Sequence, residues 1–201
     1  QIQNSNIYKI ISMVIKENFN PDKVFFTSDQ HFRHSNIIKF CHRPFNAVDE
    51  QDKALIDNWN SVVTKDSNVF MLGDFIFTAH IPTVQHYLRR LKGRIWWVMG
   101  NHDYQSKLNR KEIADVVDGR QFDVIRTNIN GTQFTMCHFP MMFWDRNSIM
   151  LYGHMHGGEK STASEKVPPH PKMYDVGVDN NNYFPISYYD LMEKLTPKDG
   201  I

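Results

Sequence analysis

Only two cysteines occur in the 201 residues, Cys41 and Cys137, and they form no C-x-x-C pair. That excludes a disulfide framework and a cysteine-rich structural zinc site. Cys137, next to His138 in an apolar run, reads as a small buried thiol. An excess of one charge is also missing, since 23 Lys and Arg stand against 22 Asp and Glu. Long nucleic acid is therefore disfavoured as a partner, and the patch Arg89-Arg90-Leu91-Lys92-Gly93-Arg94 reads as a solvated helix end and loop. No run of about 18 apolar residues is present to span a bilayer, so no membrane partner is expected. Ile7, Ile10, Ile11, Val14 and Ile15 recur at helical spacing, but Lys9, Lys16 and Glu17 interrupt them and no small-residue cleavage site follows. The expectation is an amphipathic helix laid on the core of a cytoplasmic protein, with an apolar face open to the core or to a dimer partner. Linkers, repeats and low-complexity tracts are absent as well, which makes residues 1–201 a single domain.

What the chain does contain is a series of apolar runs with chemistry at their ends. Strands are predicted at Val24 to Ser28, Val69 to Leu72, Ile95 to Met99, Gln133 to Cys137, Ile149 to Tyr152 and Met173 to Val178. Asp49 reads as the N-cap of a helix carrying Leu55, Trp59 and Val62, and Pro82 opens a second helix running to Leu91. Ser187-Tyr188-Tyr189-Asp190 reads as a capping box, with Asp in place of Glu, starting a terminal helix through Leu195. The stretch from Phe32 to Pro44 is polar, and Gly157 to Pro171 reads as an exposed loop. Alternating strands and helices imply an α/β arrangement, while the closer strand spacing later suggests hairpins or an additional sheet.

Five of the runs end in a metal-type side chain: Asp29-Gln30-His31, Gly73-Asp74, Gly100-Asn101-His102-Asp103, His138, and Gly153-His154-Met155-His156. In α/β sheets ligands collect beyond the carboxyl ends of strands. The spacing of two in Asp29-x-His31 and His154-x-His156 places each pair on one face of an extended segment. The ligand inventory is Asp29, His31, Asp74, Asn101, His138, His154 and His156. Carboxylate, imidazole and amide donors without thiolate suit Mn, Fe, Zn or Ni, with Mn favoured for activity. One tetrahedral ion cannot use them all, and a single-zinc hydrolase would leave Asn101 and three histidines without a task. Two divalent metal ions roughly 3.5 to 4 Å apart, bridged by a carboxylate and a solvent oxygen, use every donor. Such a pair lowers the pKa of bound water from about 15.7 towards about 7 and neutralises charge on phosphoryl oxygens, which points to phosphate-ester hydrolysis.

The ordered set D-x-H, GD, GNHD, H and GHxH resembles the calcineurin-like metallophosphoesterase superfamily from Asp29 to Asp179. Ser28 to Ile38, Arg43-Pro44-Phe45 and Val176-Gly177-Val178-Asp179 look most like the small stand-alone phosphoesterases of bacteria and their phages. The resemblance implies a four-layer α/β/β/α sandwich of two mixed sheets flanked by helices, with a dinuclear metal site at the carboxyl ends of strands. It also implies that Asp29, His31 and His156 hold the first metal, that Asn101, His138 and His154 hold the second, and that Asp74 bridges them. His102 is expected over the substrate as the catalytic group that protonates the leaving oxygen. Asp103 either orients that imidazole or caps a helix. Many relatives carry a further acid shortly after the GD; here Phe75-Ile76-Phe77 follows.

Arg33, His34 and Arg43 lie in the loop after the first ligand strand and are candidates for binding the non-bridging phosphate oxygens of the substrate. His42, His80, His86 and His170 have no such context. The expected function is hydrolysis of small phosphate esters, with phosphodiesters such as cyclic nucleotides favoured over monoesters, by in-line attack of a metal-bridging hydroxide. The alternative, a catalytically silent interaction scaffold on the same fold, should have lost a ligand or His102, and this chain retains them all.

Overall fold

The computed structural model describes residues 12–105, 110–117, 120–157 and 170–196. The first half comprises β1 (Ser12–Ile15), β2 (Val24–Thr27), α1 (Ser35–Phe40), α2 (Val48–Val62), β3 (Asn68–Met71), α3 (Ile81–Arg90) and β4 (Arg94–Val98). Then come α4 (Asn101–Gln105), α5 (Arg110–Val117), β5 (Gln121–Phe122), β6 (Val124–Ile129), β7 (Thr132–Cys137), β8 (Ser148–Tyr152), β9 (Met173–Asp175), β10 (Ile186–Ser187) and α6 (Tyr188–Leu195). Two five-stranded sheets result, in the orders β1-β6-β7-β8-β9 and β10-β2-β3-β4-β5. Both are mixed: β2 to β5 run parallel with β10 antiparallel at the edge, and β7, β8 and β9 run parallel with β6 antiparallel to β7. The molecule is thus an α/β sandwich of two mixed sheets with flanking helices.

Period-two alternation explains the layering, because successive side chains of a strand point to opposite faces. Phe25, Val69, Met71, Ile95 and Trp97 pack with Leu55 and Trp59 of α2, Val84 and Leu88 of α3, and Ile113 and Val117 of α5. The alternate residues Val24, Phe26, Phe70, Trp96 and Val98 meet Ile125, Ile129, Phe134, Met136 and Leu151 of the other sheet. Phe26 lies in that inter-sheet core with ring centroids 5.6 Å from Phe70 and 5.5 Å from Phe134. Strands buried on both faces read as unbroken apolar runs, which is why they are visible in the sequence.

Three local expectations differ from what forms. Val14 and Ile15 lie in a strand rather than a helix, paired in parallel with Arg126 and Thr127 of β6; Ile7, Ile10 and Ile11 lie outside the described residues. Apolar spacing over so few residues does not separate the two periods, and the pairing partner comes from far along the chain. The helix assigned to Asp49 starts at Val48 with Ala47 in the cap position. Glu50 reaches back to accept from the Asn46 N–H at 2.8 Å, so Asp49 stands inside the first turn. The last predicted strand stops at Asp175, and Val178–Asn180 form a 3-10 turn. Of the predicted exposed loop from Gly157 to Pro171, residues 158–169 lie outside the described residues. Ser187 does cap α6, its Oγ accepting from the Asp190 N–H at 3.1 Å. Among the described residues no helix is long and apolar enough to cross a membrane.

Candidate metal centre

The two sheets deliver their strand ends to one place. Past β2 and β3 the chain keeps pairing as loops, with Asp29 N–H donating to Gly73 O, His31 N–H to Asp74 O and Phe32 N–H to Phe75 O at 2.9 to 3.0 Å. From the other sheet, Gly153 N–H donates to His138 O at 2.9 Å, and the His154 N–H reaches both oxygens of Asp29 at 3.0 and 3.1 Å. The approach is close enough to require glycine. A Cβ on Gly153 would stand 2.1 Å from Ser28 Oγ and 2.5 Å from Asp29 Oδ2, and one on Gly100 would stand 2.2 Å from Asp74 Oδ1.

The paired ligands converge, though not from an extended segment. Asp29, His31, Asp74, His154 and His156 all have left-handed backbones, with φ of 62°, 50°, 53°, 70° and 49°. For residues with a Cβ that conformation costs roughly 1–2 kcal/mol each. Strain held at five positions of one site persists only because the surrounding hydrogen bonds over-determine it.

Ligand-type atoms of Asp29, His31 and His156 lie within 4.8 Å of one another, and so do those of Asp74, His138 and His154. Asp74 Oδ2 stands between the groups, 3.6 Å from His31 Nε2 and 3.4 Å from His138 Nε2. Asn101 Oδ1 is 2.9 Å from His138 Nε2. His102 is a quarter exposed; its backbone N–H donates to Asp74 Oδ1 at 2.8 Å and its Nε2 lies 4.0 Å from Asp74 Oδ2. The seven expected ligands and His102 are therefore brought together.

Electrostatics differ among the imidazoles. Burial, reinforced by His156, Arg43 and other histidines, holds His31 well below the usual histidine range. Burial also lowers His154. For His138 burial acts in the same sense, but the bond to Asp74 and its charge win and raise the imidazole to about 9. Asp74 is held below the ordinary carboxylate value, because His138 and His102 outweigh the opposing effect of burial. Burial likewise works against the charged form of His156, but Asp179, Cys41 and Asp29 raise it to about 11.

The donor set fits divalent cations. His31 Nε2 is buried without a hydrogen-bond partner. His138 Nδ1 donates to Leu72 O at 2.7 Å, and His156 Nδ1 bonds Asp179 Oδ2 at 2.8 Å, which in the neutral tautomer turns the lone pair of each Nε2 to the cluster, that of His138 towards Asn101 and Asp74. Carboxylate and amide oxygens with imidazole nitrogens are donors that divalent cations accept.

The remaining predicted residues are sorted by their contacts. His34 is buried beside the cluster, its ring stacked on Phe77 at 4.3 Å and its Nδ1 3.4 Å from His31 Nδ1. Arg33 is instead half exposed and pairs with Asp49 at 2.7 Å, a surface ion pair. Arg43 cannot offer a donor to substrate: it is buried, and five hydrogen bonds occupy the donors of its guanidinium. Asp103 does not orient His102, whose Nδ1 has no partner. Its carboxylate accepts from the backbone N–H groups of Asp74, Phe75 and Gly100 and from Trp97 Nε1, at 2.8 to 3.1 Å. Burial and the neighbouring Asp74 push it up to about 7, against these donors. An acid is thus present behind the GD turn, supplied by α4 rather than by the residues following Asp74.

Asp179, Gln51 and Asp52 were not singled out as functional by sequence reasoning. Asp179 holds His156, Gln51 holds Arg43 and the His31 carbonyl, and Asp52 accepts from the Arg33 N–H and the Tyr87 hydroxyl. The only sequence signal for Gln51 and Asp52 is a pair of polar residues at helix positions that turn out to be buried.

A family model described as calcineurin-like phosphoesterase matches residues 22–192. The chain is 35% identical over 182 residues to an uncharacterized protein of Methanocaldococcus jannaschii, a match spanning 89% of this chain and 94% of that protein. It is 27% identical over 208 residues to the gene 66 protein of Mycobacterium phage L5, across 88% of this chain and 97% of the phage protein. A solved protein of unknown function from Aquifex aeolicus superposes with a TM-score of 0.64 at 24% identity, covering 85% of this chain and 98% of that one, a likeness of fold.

Proposed function

The chain belongs to the calcineurin-like phosphoesterase family, and from that membership we propose that it is a metal-dependent hydrolase of small phosphodiesters, cyclic nucleotides included. Asp29, His31 and His156 would hold one divalent cation, and Asn101, His138 and His154 the other, with Asp74 shared. When bound, the cations supply Lewis acidity, acidifying water at the site and offsetting charge on phosphoryl oxygens. The observation that carries the reading is the position of Asp74 Oδ2 between His31 Nε2 and His138 Nε2, at 3.6 and 3.4 Å.

The chain's own side chains do the rest. His102 carries a partly exposed imidazole beside Asp74 and is suited to give its Nε2 proton to the departing oxygen. His34, stacked on Phe77 next to His102, narrows the approach on that side. The preference for diesters is supported by the two arginines: Arg43 is saturated and Arg33 is paired with Asp49. A monoester dianion calls for more positive charge than a diester monoanion; Arg43 has no donor left to supply it, and Arg33 is held only by a surface pair.

The test is hydrolysis by chelator-stripped protein supplied in turn with Mn, Zn, Fe and Ni. Bis-nitrophenyl phosphate and cyclic nucleotides are compared with nitrophenyl phosphate. Turnover of diesters that requires added metal, with Mn the best, is expected; monoester-only turnover refutes the diester preference, and no turnover with any metal refutes the enzyme.

A further inference from the structure

Arg43-Pro44-Phe45 and Val176-Gly177-Val178-Asp179 are distant in the chain but form one assembly in the fold. Arg43 Nε and Nη2 donate to the two oxygens of Asp179, both at 2.8 Å. Arg43 Nη2 also donates to Asp29 O at 2.8 Å, and Nη1 to Gln30 O and Gln51 Oε1 at 3.0 Å. Gln51 Nε2 then reaches His31 O at 3.4 Å. Three successive carbonyls of the loop that carries Asp29 and His31 are thereby gripped. With left-handed residues at both Asp29 and His31, these acceptors turn into the protein, where an unpaired one costs about 1–3 kcal/mol. On its other side Asp179 Oδ2 takes His156 Nδ1 at 2.8 Å.

We infer that Arg43 and Asp179 are positioning residues for one half of the metal centre, setting the affinity of the Asp29, His31 and His156 group for its cation, while in the other half His138 and Asp74 have supports of their own and only His154 is tied to the first group, through Asp29. The inference rests on the reading of those three side chains as ligands of one ion. The asymmetry has a structural basis. His138 is steered by Leu72 O, and the Asp74 backbone by Asp103; neither Arg43 nor Asp179 takes part in those bonds. The ion pair is buried, with side-chain exposures of 0% and 3%, and buried pairs contribute little net stability. What this one supplies is geometry, joining the D-x-H loop to the H-x-H loop through a planar fork. A lysine ammonium has three donors and no fork, so it cannot serve all five bonds at once.

The test is binding of Mn²⁺ alone to chelator-stripped protein, followed calorimetrically so that two steps resolve, in wild type, Arg43→Lys, Asp179→Asn and His156→Ala. One site in Arg43→Lys and Asp179→Asn should weaken about 10–100-fold, as loss of a ligand's supporting partner does, while the other stays within about twofold. The weakened site should be the one that His156→Ala weakens, and Asp179→Asn should add little in the His156→Ala background. Equal weakening of both sites, or two sites retained at wild-type affinity in both variants, overturns the inference while leaving the ligand reading intact. A wild type that binds fewer than two Mn²⁺ ions overturns the ligand reading and this inference with it. Should Arg43→Lys not fold, Asp179→Asn carries the test, since it keeps side-chain volume and one acceptor oxygen. Failure of both to fold would make the pair a general stabiliser and reject the positioning role.

Discussion

Asp103 accepts a 3.0 Å hydrogen bond from the backbone N–H of Asp74, so one acid fixes the backbone of the other. The same carboxylate takes three further N–H donors and is fully buried. As the third residue of α4 it reaches back to the Gly100 N–H, the half of a capping box that serves the preceding residue, and from there it braces the GD turn.

Asp103→Ala should therefore act on stability as well as on activity. Four donors would be left buried without an acceptor, and losing hydrogen bonds of this kind costs about 3 kcal/mol or more in sum. Urea unfolding of the metal-free protein measures it. A loss below about 1 kcal/mol would mean that the clamp contributes nothing of consequence.

Asp74→Asn leaves the shape of the turn but replaces the shared carboxylate with an amide that bridges poorly. Activity should fall by at least about 100-fold, with the fold retained by circular dichroism. Full turnover in this variant would defeat the bridging assignment.

His102→Ala should separate substrates by leaving group. If the imidazole donates a proton to the departing oxygen, alkyl and nucleoside diesters should slow by roughly 10²–10⁴-fold, whereas nitrophenyl esters, whose leaving group needs little help, should lose far less. An equal loss for both classes would rule out proton donation.

Gly100→Ala and Gly153→Ala test the close approach of the two sheets. Neither glycine has a left-handed backbone, so the effect is steric: the new methyl would stand 2.2 Å from Asp74 Oδ1 or 2.1 Å from Ser28 Oγ. Both variants should lose Mn²⁺ affinity by tenfold or more on calorimetric titration. Unchanged affinity would show that the loops shift aside at no cost.

The strands and the gathering of the candidate ligands were legible in the sequence for related reasons. Val69 to Leu72 and Ile95 to Met99 are buried on both faces, so burial writes itself as an unbroken apolar run, and the residue ending each run is presented at a sheet edge. Strand β6 and its turn into β7 were not read from the sequence; Asn130 and Gly131 there take positive φ, 51° and 82°, as a two-residue hairpin turn requires. Less legible were β1, whose partner β6 lies more than a hundred residues on, and the early start of α2, where Glu50 reaches back to Asn46.

The sequence by itself determined which donors would gather and in what order, because residue type and strand ends are local properties. Only the tertiary structure decided what the neighbouring charges do. Arg33 and Arg43 are both candidates for phosphate when read along the chain, yet one meets Asp49 at the surface and the other is buried against Asp179 from 136 residues away. A guanidinium's task depends on which acceptors surround it, and those arrive from segments that no local pattern connects.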